Sequence, residues 1–258
     1  MSNISVIIPH YNNAQELERA YNSVINQLLM PNELIIVDDC SMDITYLKLI
    51  EKEHSAKFSL KVIYLQENSG PSFARNLGVS LSTCEYIAFL DCDDVWHPEK
   101  LLIQYSYMVE NGIKFTFHKY SAYPEKKINE KFLIKKINVN SLAIRQIICT
   151  PTVMLKKDCF KEFNEDLRYC EDFLCWVMSN NSKYFYMIDM VLSNGFKRQY
   201  GDSGLSSNLK EMHKGFLLVC YILWSKNYWG LGLFMYFIFF EYIKYPLRLL
   251  KSFKAKYN

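Results

Sequence analysis

Glycine and proline are scarce in this chain of 258 residues, with nine and seven copies, while half of the residues are hydrophobic. That balance argues against disorder and leaves enough apolar material for one α/β domain with a large core, plus appendages. No repeat or low-complexity linker divides the chain. The eight cysteines, at 40, 84, 92, 149, 159, 170, 175 and 220, include no C-x-x-C pair. Several lie inside apolar runs, where a free thiol behaves as a small hydrophobe, and this points to a reducing cytoplasm. No basic stretch or apolar run precedes the strand-like residues that begin at Ile4, so no secretory signal is expected and the catalytic part is placed on the cytoplasmic side. A Q-x-x-R-W motif and long spanning helices are also missing, which argues against a processive membrane synthase. Acids are missing from residues 244–258, which hold Lys244, Arg248, Lys251, Lys254 and Lys256. The chain carries +3 with those five cations and −2 without them, so its basic character belongs to the tail and a broad nucleic-acid surface is not expected.

Four short apolar runs occupy the first half: "ISVIIP", "ELIIVDD", "KVIYLQ" and "YIAFLD", starting at 4, 33, 61 and 86. Their spacing is close to the ~30 residues of a strand, a crossover helix and the next strand, so a parallel sheet is expected. Between the first two runs, Leu17, Ala20, Tyr21, Val24 and Leu28 recur at helical spacing, and Pro71 and Pro98 each stand where a helix can begin.

Polar clusters follow each run: Pro9, Tyr11 and Asn12; "DDCSMD"; "NSGPSFARN"; and the acidic trio of "FLDCDDVW". In an open parallel sheet, ligands bind beyond the carboxyl ends of the strands, so all four clusters can face one cavity. Each also has a plain structural reading, as packed aromatic, turn, helix cap or loop. The functional reading gives Tyr11 a nucleobase to stack on, Asp39 a ring N–H to accept, and Arg75 a charged partner near the site. Asp91 and Asp93, two residues apart after a strand, can serve a hard divalent ion that also binds a diphosphate.

Taken in order, "VIIPHYNN", "IIVDDCSMD", "ENSGPSFARN", "FLDCDDVW", "CEDFLCW" and "RQYGDSGLS" resemble the family 2 inverting nucleotide-sugar glycosyltransferases, over about residues 4–206. The resemblance implies a GT-A fold, a Rossmann-like, mainly parallel sheet flanked by helices. It implies that Pro9, Tyr11, Asp39 and Arg75 frame the nucleotide, favouring UDP. Asp91 and Asp93 would contact ribose and Mn²⁺ or Mg²⁺, Asp172 would be the base, and Glu171 would orient it or the acceptor. Two departures stand out: Cys40 replaces the small residue usual after the paired acids, and Tyr200 stands where many relatives have His, so no third metal ligand is named. Asp94 is read as a helix cap in preference to a second layer around the metal. The chemistry is consistent: a departing diphosphate needs a Lewis acid, an acceptor hydroxyl needs a carboxylate, and a single in-line displacement inverts the anomeric centre.

Two rival classes share parts of this pattern. "DCDDV" also fits the start of aspartyl-phosphate phosphatases, but those carry it on the first strand, and three strands are expected ahead of it here. A catalytically silent partner that binds sugar nucleotide would have little use for Asp91, Asp93 and Asp172 together. After residue 210 the character changes: "GFLLVCYILW" and "YWGLGLFMYFIFF" are apolar and the second is short of the ~20 residues of a spanning helix. The expected organisation is a catalytic domain over 1–210, and over 211–258 a helical segment with a basic tail, peripherally associated with the inner-membrane surface. The family resemblance then implies a hexose, glucose or galactose, passed to an undecaprenyl-diphosphate-linked saccharide in O-antigen or other surface-polysaccharide assembly.

Overall fold

The computed structural model describes residues 2–54, 58–122, 132–144, 147–180, 182–196 and 208–256. The four apolar runs form β1 (Ile4–His10), β2 (Glu33–Asp38), β3 (Ser59–Tyr64) and β4 (Tyr86–Phe89). They pair in parallel in the order β3-β2-β1-β4. β1, β2 and β4 are buried along their whole length, because helices cover both faces of the sheet. The alternation of the pleat sends Ile4, Val6, Ile8, Leu34 and Ile36 to one face, under α1 (Ala14–Ile25), α2 (Thr45–Glu53) and α4 (Lys100–Asn111). Ile7, Ile35, Val37 and Phe89 face the other side, under α3 (Gly70–Leu81) and α6 (Glu171–Ser179). Gly78 lets α3 lie close on β1: a Cβ there would stand 2.5 Å from Ile7 Cγ2.

α1 is shorter than its apolar spacing predicts. Leu28, expected on the buried face, is exposed. The chain leaves the helix because Gln27 is claimed by the loop ahead of α4: its Nε2 donates to His97 O (2.8 Å), its Oε1 accepts from Leu101 N (3.0 Å), and Leu28 N donates to Pro98 O (2.8 Å). Tertiary hydrogen bonds here override local propensity.

Beyond β4 the sheet becomes mixed. β8 (Met154–Lys156) is antiparallel to β4, β6 (Phe115–Ser121) is antiparallel to β8, and β9 (Tyr184–Asn194) is parallel to β6. The short β5 (Val95–Trp96) and β7 (Ile134–Asn138) both run antiparallel to β9, and the short helix α5 (Val139–Ile144) follows β7. The expected parallel sheet is therefore one half of a nine-stranded mixed sheet. The other half escapes a search for apolar runs because its strands are short or carry polar residues, as in "FTFHKYS" and "IKKIN".

The strand order places β1 between β2 and β4, so the chain proceeds to one side of β1 and later returns on the other. The carboxyl ends of β1, β2 and β4 thus border a topological switch point, where open α/β sheets bind ligands.

Two further helices, α7 (Leu209–Ser225) and α8 (Leu231–Lys256), complete the described chain. Phe216, Val219, Cys220, Leu223, Trp229 and Phe237 join the same core as Phe89, Phe173 and Trp176. The Phe173 ring lies 5.4 Å from Phe216 and 6.1 Å from Phe237, centroid to centroid. Among the described residues, no helix is long and apolar enough to cross a membrane.

Candidate active site

The exits of β1 and β2 are tied together by His10 and the paired acids. His10 Nδ1 donates to Asp38 Oδ1 (2.8 Å), while its Nε2 accepts from Asn13 N (3.3 Å). Asp38 also accepts from Ser41 Oγ (2.5 Å) and Ser41 N (3.1 Å), closing the turn after β2. Asp39 reaches the next loop: its two carboxylate oxygens accept from Ser69 N (2.7 Å) and Gly70 N (2.8 Å) at the start of α3. A carboxylate is well placed there, because the first N–H groups of a helix lack intrahelical partners. Each oxygen keeps further lone-pair capacity. Cys40 adopts φ +65°, in the left-handed region that favours glycine, which explains why a small residue suits this position. Pro9 is buried in β1, and Tyr11 stands half-exposed just past it. Asp39 N donates to His10 O (2.8 Å), so Tyr11 and Asp39 leave neighbouring strands side by side.

Of the three acids after β4, Asp91 meets a cation of the chain itself. Arg75, buried on α3, donates from Nη2 to Asp91 Oδ1 (2.6 Å), and its Nη1 lies 4.0 Å from Glu171 Oε1. The guanidinium also sits 5.3 Å from the centroid of the Phe163 ring. The neighbouring Asn76 pins α3 to the segment leading towards Glu171: its Nδ2 donates to Phe163 O (2.9 Å) and its Oδ1 accepts from Phe163 N (2.9 Å). One helix therefore fixes the acids after β4 relative to those that open α6.

Asp94 caps no helix, contrary to the sequence expectation. The strand β5 intervenes before α4, and the buried Asp94 carboxylate instead accepts from the Tyr120 hydroxyl at the far end of β6 (2.8 Å). Burial and that carboxylate push the Tyr120 phenol well above its usual range. The contact requires Gly195, since a Cβ there would collide with the Tyr120 hydroxyl. Asp91 and Asp93 remain half-buried at the crevice. Among the described residues, no group of three or more His, Cys, Asp or Glu side chains forms a metal cage. Asp91 and Asp93 offer carboxylate oxygens, the donor type that hard divalent ions such as Mg²⁺ or Mn²⁺ take.

Glu171 and Asp172 open α6, after Cys170 in a left-handed conformation at φ +61°. Burial, followed by the charge of Asp172, pushes Glu171 up to about 7, against the pull of Arg75. Burial also raises Asp172, opposed by the Phe173 N–H that donates to its Oδ1 (2.7 Å) and by Arg75. Asp172 lies deep among protein atoms yet keeps a solvent-accessible edge. The pair is backed by α7. Cys170 Sγ donates to Met212 O (3.7 Å), and Gly215 lies so close to Tyr169 that an added Cβ would come within 2.8 Å of it.

Of the residues read from sequence, Asp91, Arg75, Glu171 and Asp172 form one electrostatic cluster, Pro9, Tyr11 and Asp39 border the same switch point, and Asp93 follows Asp91. The stretch 198–206 with Tyr200 lies outside the described residues. Sequence reasoning passed over His10 and Tyr120. The first carried a signal, a titratable residue directly after an apolar run, while the second carried none, since β6 brings it to Asp94 only through the fold.

The family model described as "Glycosyl transferase family 2" matches residues 5–162. The chain is similar to WfgD of Escherichia coli, named as a UDP-Glc:alpha-D-GlcNAc-diphosphoundecaprenol beta-1,3-glucosyltransferase, with 31% identity over 82% of this chain and 83% of that protein. TuaG of Bacillus subtilis (strain 168), a putative teichuronic acid biosynthesis glycosyltransferase, is 41% identical over 46% of each chain. Among solved structures, S. aureus TarS in complex with UDP-GlcNAc superposes with a TM-score of 0.67 at 25% identity, covering 86% of this chain and 67% of that one. A mixed sheet with acids gathered at its switch point is the GT-A arrangement that the motifs implied, and with the family model and WfgD in agreement, the chain belongs to glycosyl transferase family 2.

Proposed function

We propose that the protein transfers a hexose, glucose or galactose, from a UDP-sugar to a hydroxyl of an undecaprenyl-diphosphate-linked saccharide. The transfer inverts the anomeric centre and serves O-antigen or other surface-polysaccharide assembly at the cytoplasmic face of the inner membrane. The observation that carries this reading is Arg75, which joins Asp91 on the donor side to Glu171 and Asp172 on the acceptor side within one cluster. Support for donor and acceptor comes from WfgD, whose name specifies UDP-glucose and a diphosphoundecaprenol, and from TarS, solved with UDP-GlcNAc.

In this reading Tyr11 stacks on the nucleobase, Pro9 forms the floor beside it, and Asp39 accepts the base N–H with capacity left over from its two loop bonds. Asp91, held by Arg75, receives the ribose hydroxyls. Asp93 with Asp91 would hold Mn²⁺ or Mg²⁺, which when bound supplies Lewis-acid stabilisation of the departing diphosphate. Asp172 takes the proton of the acceptor hydroxyl as its oxygen attacks the anomeric carbon, opposite the leaving nucleoside diphosphate. Glu171, beside Asp172 on the first turn of α6, orients that base or the acceptor.

A panel of UDP-, GDP- and dTDP-sugars, incubated with the protein in Mn²⁺, Mg²⁺ or EDTA, tests the reading by nucleotide release. UDP release that Mn²⁺ supports at least as well as Mg²⁺, and that EDTA abolishes, is expected. Full turnover in EDTA would refute the metal assignment, and release from no sugar nucleotide would refute the transferase reading.

A further inference from the structure

Helix α8 is apolar on both sides, unlike an ordinary surface helix: Phe234, Phe237 and Phe240 pack on the core while a second apolar stripe faces out. From Leu231 to Leu250 its exposed positions are 231, 232, 235, 239, 242, 243, 246, 247 and 250, and none of them is charged. Leu231, Met235, Phe239, Tyr242, Leu247 and Leu250 lie along one side at helical spacing, with Phe239 62% and Leu250 60% exposed. The charges point inward. Glu241 is fully buried, and it pairs with His213 of α7 (2.9 Å), with Lys244 (3.6 Å) and with Arg248. A surface helix in water places its charges outward and its apolar stripe on the core, so this stripe needs an apolar covering of its own.

We propose that this face of α8 docks on an anionic lipid bilayer, lying in the interface and not crossing it; the inference deepens the proposed membrane setting and rests on that reading. Charge identifies the covering. After Glu211 the only acid in the sequence is Glu241, which is buried, whereas Lys214, Lys226, Lys244, Arg248, Lys251, Lys254 and Lys256 follow it. The end of α7 and the turn that follows expose Trp224 and Tyr228 beside Lys226, the residue types that suit headgroup depth. A second copy of the chain packed on the same stripe would set cationic ends against cationic ends in either orientation, whereas anionic headgroups complement them. Lys244 and Arg248 are engaged with Glu241, so the apolar stripe carries the attachment more than those two cations do.

The test uses the full chain with phosphatidylcholine vesicles, with and without phosphatidylglycerol. Wild-type protein is expected to cosediment with the anionic vesicles, and quenching of its tryptophan fluorescence by brominated lipid reports contact without any substitution. The double variant Met235→Glu/Phe239→Glu alters only exposed side chains and should keep its circular dichroism, while its binding falls at least ~10-fold. Equal binding by wild type and variant, or no binding and no quenching by wild type, overturns the lipid face. Wild type that ignores vesicles and sediments as a dimer broken by the double variant assigns the stripe to a second copy instead. UDP release, measured on the same samples, keeps the two readings apart: release by a chain that binds no vesicle refutes only the lipid face, and vesicle binding by a chain that releases no nucleotide refutes only the transferase.

Discussion

Glu171 owes its raised proton affinity to burial and to Asp172 beside it, and Arg75 works against both. The two carboxyls titrate as a pair, so transfer should rise with pH through about 7, the value at which Glu171 loses its proton, and not through the ordinary 4.5. Replacing Arg75 with Gln removes a positive charge that lowers both groups. The acid limb of the kcat profile should then move to higher pH, and the donor KM should rise as Asp91 loses its partner. Asp172→Asn preserves shape without an effective base. Its kcat should fall by ~100-fold or more with UDP affinity little changed, as read by steady-state kinetics and a binding titration. Stability carries the opposite sign to activity. Because the folded state holds the Glu171 proton up to about 7, it binds more protons than the unfolded chain between 4.5 and 7, so stability should decline as pH rises through that window. Denaturation of Glu171→Gln across the same range should show a weaker decline.

At the scale of elements, α7 and α8 serve as the rear wall of the acid pair. Gly215 gives α7 its close approach to Tyr169, so Gly215→Ala must push the segment that leads into Glu171. Transfer should slow while donor binding is retained, a split that separates displacement of the acids from loss of the fold. The charges buried between α7 and α8 make a second prediction. Arg248→Ala leaves Glu241 buried with fewer partners and should cost about 3 kcal/mol in urea denaturation. Glu241→Leu removes the buried charge together with its need for partners and should cost less.

Across the whole molecule, Phe216, Trp229 and Phe237 lie in the same core as Phe173 and Trp176. A chain ended at residue 210 would expose Phe173 and its neighbours, and it is expected to express as aggregated or loosely packed protein, visible as lost near-ultraviolet circular dichroism with far-ultraviolet signal retained. A membrane anchor hung on a finished domain would predict a soluble, well-packed fragment instead.

The sequence by itself determined the parallel half of the sheet and the positions of the acids, because both depend on short-range pattern. Fully buried strands must read as apolar runs, and residues beyond their carboxyl ends are polar because they leave the core. Asp91 and Asp93 were legible for the same reason, whereas Glu171 and Asp172, which open a helix, were read through the family resemblance. Only the tertiary structure decided what stands opposite them. Arg75 meets Asp91 across 16 residues of chain, Tyr120 meets Asp94 across 26, and His213 meets Glu241 across 28. No periodicity records such pairings, since each arises where two elements are brought together by packing. The direction of α8 belongs to the same class: its composition is apolar and basic in any arrangement, and only docking on α7 turned Glu241 inward and left the Leu231–Leu250 stripe facing out.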